Sequence, residues 1–402
     1  MEPLREFSSV SLGIWALVGS RDETAAQSGI THLIEHLAFK GTPRRDARKI
    51  ALEIDSMGGS LNAFTGKEFT SFYARVLGES LPLAVDLLSD ITLNSGFGGE
   101  DIEREREVIL QEICMVDDTP DDVIHDLHCQ EYWPDHSLGM PVLGTQESLC
   151  GLSREDVVSF HGAHFRADRM LVTAAGNLDP EELLRMLSEA FSGLERGRVP
   201  LSRTLPRGVP GICVQQRPVE QVHFCIGYPG LKYADDRRYV MSLLNTVLGG
   251  GVSSRLFQKI REERGLAYSV FSYQSAHEDT GMHTIYCGTS REGFGEAMRL
   301  IGEETEDLMT RLIPEDELDT ARLQLKGNLL LGLESTGNRM NQLARNAIFF
   351  GRQVGTKEIE EGIDSVTAQQ IRDLSLETFR KDRTSLTVIG PISEDEVREI
   401  RG

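Results

Sequence analysis

Two halves of about 200 residues each run through one order of elements, with little residue identity between them. Each half opens on an alternating segment, residues 9–20 in one and 222–228 in the other, whose period of two predicts a half-buried strand. A helix-type stretch comes next, then a glycine pair or triplet (Gly58-Gly59; Gly249-Gly250-Gly251) and a second strand (70–76; 282–287). A long amphipathic helix (81–93; 294–312) precedes a further helix of twenty or more residues. That helix starts on acids, Gly99-Glu100-Asp101-Ile102 or Pro314-Glu315-Asp316-Glu317, which meet the positive end of its dipole. Each half closes with a strand ending on glycine (170–176; 385–390). The pattern predicts an α+β chain made by tandem duplication: two α/β sandwich-like domains, each an antiparallel-rich sheet with one face covered by helices. The expected boundaries are 1–195 and 212–402. Residues 196–211 form the linker, in a stretch that carries Gly193, Gly197, Pro200, Pro206, Gly208 and Pro210.

Charge narrows the function. Against 42 Lys+Arg stand 63 Asp+Glu, a net charge of −21, and no run of five basic residues occurs, so a polyanion such as nucleic acid is not an expected partner. Basic peptides are compatible with such a surface. With 40% hydrophobic residues the chain excludes disordered and collagen-like classes. The six cysteines (Cys114, Cys129, Cys150, Cys213, Cys225, Cys287) are scattered and form no CxxC pair, so they are expected to be reduced core residues. Met1-Glu2-Pro3-Leu4-Arg5-Glu6 lacks the layout of a secretory leader, and no uncharged apolar stretch reaches the roughly 18 residues that span a bilayer. The expectation is a cytoplasmic protein with no membrane partner.

The chemistry concentrates in His32-Leu33-Ile34-Glu35-His36. Residues four apart on a helix project from one face, so His32 and His36 can offer two imidazoles to one metal with Glu35 beside them. This HxxEH order inverts the HExxH of the common zinc proteases. About 0.04 chance matches are expected in a chain of this composition. Ile30, Leu33, Ile34, Leu37 and Phe39 make the helix apolar nearly all round, which predicts burial and a need for partners. A catalytic zinc takes three protein ligands and keeps a fourth position for water. The third is sought in the acidic helix, where Glu105 and Glu112, seven residues apart, share a side; Glu103 and Glu107 compete with them.

With these motifs the chain resembles the pitrilysin/insulinase family of zinc peptidases, in particular its short members similar to the catalytic subunit of mitochondrial processing peptidase. The resemblance runs from about Ser9 to Gly390. In that family the third ligand is a Glu some 76 residues after HxxEH, in a helix of the form ERExVIxxEI; here that helix reads Glu105-Arg106-Glu107-Val108-Ile109-Leu110-Gln111-Glu112-Ile113. The resemblance implies one zinc per chain held by His32, His36 and Glu112, Glu35 as general base, and Glu105 as the carboxylate that orients a ligand. It also implies that Arg261 and Tyr268, seven apart, bind substrate and its tetrahedral intermediate. Asn62-Ala63, on an edge strand at residues 59–65, would bind the backbone of an extended peptide. In that family the Arg/Tyr domain faces the zinc domain across a chamber and, in two-subunit members, comes from the partner chain. Because this chain carries both sets and only two domains, the resemblance implies a homodimer with two composite sites that cleaves peptide substrates in its chamber.

Two rival readings are a non-catalytic scaffold subunit that binds peptides and a purely structural zinc site. The retained HxxEH opposes the first, and the absence of a nearby cysteine opposes the second. Gly249-Gly250-Gly251 lacks the GxxxxGK[ST] context of a phosphate loop and reads as a helix end. Asp117-Asp118-Thr119-Pro120-Asp121-Asp122, with His125 and His128 behind it, reads as a helix start rather than a second metal site. The family's usual strand before the Ser9 segment, around Asn-Gly-Leu, has no counterpart after Met1, which leaves two readings: Met1 is internal to a longer natural chain, or the first domain has an unpaired sheet edge.

Overall fold

A computed structural model of the chain describes residues 1–197, 201 and 203–401. The fold is two sheet-containing units with helices, each with its own apolar core. In the first unit the strands are β1 (Glu2–Pro3), β2 (Ser9–Ala16), β3 (Gly41–Thr42), β4 (Arg45–Asp46), β5 (Ser60–Thr65), β6 (Thr70–Leu77) and β7 (Met170–Gly176). Five of them form a sheet of order β1-β7-β2-β6-β5, while β3 and β4 pair separately. The second unit contains β8 (Gly211–Gln216), β9 (Val222–Pro229), β10 (Ala267–Ala276), β11 (Gly281–Thr289) and β12 (Ser385–Gly390). Their order, β10-β11-β9-β12-β8, is the first order again, read from the other edge. In both sheets the outermost β1 or β8 pairs parallel with its neighbour and the other pairs are antiparallel. The repeat in the sequence is therefore a repeat of topology.

Three expectations are corrected by packing. First, β1 pairs with β7 through Glu2↔Ala175 and Pro3↔Gly176, so the edge that one of the two readings left open is covered, although by only two residues. Second, the units are not contiguous: the first comprises Met1–Met115, Met140–Thr204 and Leu331–Gln353, and the second Val116–Gly139, Leu205–Leu330 and Val354–Gly402. This differs from boundaries at 1–195 and 212–402 because each half lends a helix to the other half's sheet. The Thr336–Arg345 helix lies on β7 and β2, and the Pro120–Tyr132 helix lies on β12 and β9. Third, each sheet is consequently covered on two faces. Strand β2 is buried nearly throughout instead of half-buried: Val10, Leu12 and Ile14 enter the main core, while Trp15 packs with Met340 and Ala344 of the lent helix. Its fit is close enough that a Cβ on Gly13 would stand 3.0 Å from Met340 Sδ. Ser11 and Thr336 hydroxyls hydrogen-bond at 2.9 Å, and Arg339 pairs with Glu2 at 2.5 Å.

The linker is partly structured. Arg203 pairs with Asp22 at 2.8 Å and Arg21 donates to the Thr204 carbonyl, while Val209 donates to the Tyr132 carbonyl. Residues 198–200 and 202 of the linker, Pro200 included, lie outside the described residues. Pro120 begins its helix behind an extended Thr119, with Asp121 and Asp122 in the first turn, as a helix start requires. Of the cysteines, Cys225 and Cys287 are buried but Cys114 and Cys150 are exposed, so the expectation of core residues fails for those two. Among the described residues no helix is long and apolar enough to cross a membrane.

Two buried histidines in the second unit carry a consequence for acid stability. His128 and His283 are both 0% exposed; His128 Nδ1 meets Thr387 Oγ1 at 2.8 Å, but its Nε2 and both nitrogens of His283 have no hydrogen-bond partner. Burial pushes His128 down to about 3, with His125 adding to it, and His283 down to about 4. Below about pH 6.5 the unfolded chain takes up protons that the folded one refuses, so stability present above that pH is lost as pH falls. Each histidine should contribute a loss of roughly 2–3 kcal/mol between pH 6.5 and 4.5. Urea unfolding at the two pH values checks this: His283→Leu should lose less stability on acidification than wild type, and an equal loss would clear His283.

Candidate metal centre

The Ile30–Leu37 helix is positioned by its apolar face and by its start. Ile30, Leu33, Ile34 and Leu37 enter the core against the sheet, which leaves His32, Glu35 and His36 on one partly open strip rather than buried all round as expected. Gly29 precedes the helix at φ +90°, and a Cβ there would stand 2.7 Å from the Leu143 carbonyl oxygen. Glu23, 5% exposed, accepts from the Gly29 and Thr31 amides, one on each carboxylate oxygen, both at 2.8 Å. It thereby satisfies amide donors that the helix leaves free at its start. Burial pushes Glu23 up to about 7, against the pull of these bonds.

Opposite lies the Gly99–Asp117 helix, whose Glu105 and Glu112 both face His36. Glu105 Oε2 is 3.1 Å from His36 Nδ1 and its Oε1 is 2.8 Å from Lys40 Nζ. With Nδ1 engaged, His36 presents Nε2 to Glu112 Oε2 at 3.7 Å, and His32 presents its own Nε2 to the same oxygen at 3.9 Å. One donor atom from each of His32, His36 and Glu112 lies within 4.8 Å of the others, and no other His/Cys/Asp/Glu triplet does so among the described residues.

These separations are too long for hydrogen bonds. They are close to the roughly 3.3 Å edges of a tetrahedron with metal bonds of about 2.0–2.1 Å. Two imidazoles with a carboxylate and no sulfur is a donor set that zinc accepts, and three donors leave a vertex open. Burial, and then the neighbouring His36, lowers His32 to about 4, which keeps it neutral and able to ligate at ordinary pH. The residues present therefore fit a zinc ion.

Glu35 sits beside this triplet. Its Oε2 accepts from the Thr65 hydroxyl at 2.5 Å, and burial raises its pKa despite that bond. Thr65 ends β5, the edge strand of the sheet, which also carries Asn62 and Ala63. Asn62 is exposed and its Oδ1 accepts the Ala63 amide proton at 2.9 Å, so a peptide pairing at Ala63 would have to replace that bond.

Arg261 and Tyr268 belong to the second unit, where the structure brings them together. Arg261 lies in a π-helical turn, Phe257–Glu262, with its guanidinium 4.8 Å from the Tyr268 ring centroid and 4.7 Å from that of Phe257. Tyr268 is 79% exposed at a register irregularity between Ala267 and Ser269, at the start of edge strand β10. A π-turn and a bulge side by side are irregularities of the kind that re-aim side chains at functional sites.

Sequence reasoning missed Glu23, Lys40 and Thr65. Lys40 stands four residues past His36, one helical turn, and that spacing was its one available signal.

Comparison with known proteins identifies the family. The model for the insulinase family (peptidase family M16) matches residues 4–146, and that for the M16 inactive domain matches residues 151–325. An uncharacterized zinc protease of Streptomyces coelicolor is 39% identical over 407 residues, covering 99% of this chain and 88% of that protein. One from Bacillus subtilis is 37% identical over 383 residues, covering 95% and 93%. Among solved structures, a protease from Helicobacter pylori aligns with TM-score 0.91 at 19% identity, covering 97% of this chain and 95% of that one. An M16 inactive-domain protein from Pseudomonas fluorescens aligns with TM-score 0.90 at 18% identity and the same coverage. HxxEH falls inside the first matched segment, and the second half, which matches the inactive-domain model, has no such motif. With a family model matched over residues 4–146 and relatives named as zinc proteases at 37–39% identity along nearly its whole length, this two-domain chain belongs to the insulinase family of peptidases, family M16.

Proposed function

We propose that the chain is a zinc-dependent metallo-endopeptidase that cleaves extended peptides, basic ones among them. The observation that carries this reading is the convergence of His32, His36 and Glu112 with Glu35 beside them. His32, His36 and Glu112 hold one zinc per chain, and Glu105 fixes the ring of His36 through Nδ1. When bound, zinc supplies a Lewis acid that acidifies water and polarises a carbonyl. Glu35 takes a proton from the attacking water and delivers it to the departing amine. Strand β5 offers its free edge to the peptide backbone, a mode that tolerates many sequences. Tyr268 and Arg261 stabilise the developing oxyanion, contributed by a second copy in a homodimer. A complete donor set with a held base is more than a peptide-binding scaffold would need.

Incubation with a mixed library of unfolded peptides should yield fragments, and a chelator should stop their appearance; an uncleaved library would overturn the reading. Mixing Glu35→Gln with Tyr268→Phe protein, each inactive alone, tests the dimer. Subunit exchange should restore activity, because one of the two composite sites regains every wild-type group. Mixtures that exchange and stay inactive would contradict the contribution from a second copy.

A further inference from the structure

Glu35 has two carboxylate oxygens and three side-chain torsions, and a base that turns freely spends little time aimed at the water it must deprotonate. In this structure Thr65 ties the carboxylate through its hydroxyl and also through its backbone amide. The Thr65 hydroxyl donates to Oε2 at 2.5 Å.

Thr65 is itself held in place. It pairs with Thr70 at the closed end of the β5–β6 hairpin, next to the Gly66 amide that donates to the Phe69 carbonyl at 2.9 Å. As a β-branched residue in a strand it has few χ1 choices, so the direction of its hydroxyl follows the backbone. Leu61 and Ala63, on the same face of β5, pack into the main core. That face is the one turned to the Ile30–Leu37 helix.

We propose that Thr65 is a positioning residue for Glu35: its hydroxyl fixes Oε2 and with it the aim of the carboxylate, and it ties the base to the strand along which the peptide lies. This rests on the peptidase reading above and deepens it. A peptide that orders β5 thereby orders the base, so binding and aim are set by one element.

Three measurements on full-length protein test this. Thr65→Val removes the hydroxyl and keeps the branched shape; turnover should fall roughly 10- to 100-fold, with KM within about twofold and zinc content unchanged. Thr65→Ser restores the donor and should recover most of the turnover. The third measurement needs no activity: the infrared difference between wild-type and Glu35→Gln protein, both metal-free, isolates the Glu35 carboxyl bands, and Thr65→Val should shift them. Wild-type turnover in Thr65→Val overturns the proposal, as does a change confined to KM, a loss of zinc, or a Thr65→Ser variant as impaired as Thr65→Val. If wild type cleaves no peptide the peptidase reading fails by itself, and the infrared bands still decide the Thr65 bond: bands that do not move remove it.

Discussion

Glu35→Gln protein is expected to carry as much zinc as wild type and to cleave peptides on the order of 10³-fold more slowly. The two halves of this result come from different atoms. Zinc retention follows because the nearest donors are His32, His36 and Glu112, whose separations do not involve Glu35. Loss of turnover follows because an amide of the same shape cannot accept the proton, and a positioned general base contributes typically 10²- to 10⁴-fold. Thr65 can still donate to the amide oxygen, so the side chain should stay where it is. Turnover and zinc measured on one preparation decide this. Activity within a few-fold of wild type would remove Glu35 from the mechanism, and loss of zinc would make it a ligand.

The second large effect separates the two glutamates of the Gly99–Asp117 helix. Glu112→Ala removes a donor and should weaken zinc by more than 100-fold. Glu105→Gln removes only the carboxylate that orients His36, a change that costs roughly 10- to 100-fold in other metal sites. Lys40 explains why Glu105 is less suited to the metal: its Oε1 is occupied by the ammonium and its Oε2 by Nδ1 of His36. Competition with a chelator gives both affinities. A Glu105 variant that loses more affinity than the Glu112 variant would exchange their roles.

Spacing within one helix is a local quantity, so His32, Glu35 and His36 are readable from sequence alone. Glu112 is not, because Glu105 shares its side of the helix and only the packed helix shows which carboxylate meets Nε2 and which meets Nδ1 of His36. The strands were legible for the same local reason, with residues 170–176 and 385–390 recovered as β7 and β12. What stayed hidden was long-range. The amphipathic pattern of Thr336–Arg345 says that Met340 and Ala344 seek an apolar partner, but nothing in it says that the partner is Trp15 of the other half. From sequence alone the boundaries therefore read as contiguous. Thr65 was invisible because a threonine at a strand end is ordinary, and only the hairpin's placement beside Glu35 gives its hydroxyl a task.

Everything depends on three side chains sharing one cation, which zinc K-edge X-ray absorption of wild-type protein loaded with one equivalent of metal tests directly. The expected first shell holds two imidazole nitrogens and oxygens at about 2.0–2.2 Å, no sulfur, and one of those oxygens exchangeable with solvent. A shell containing sulfur, or one with fewer than two imidazoles, would place the metal elsewhere and contradict the site.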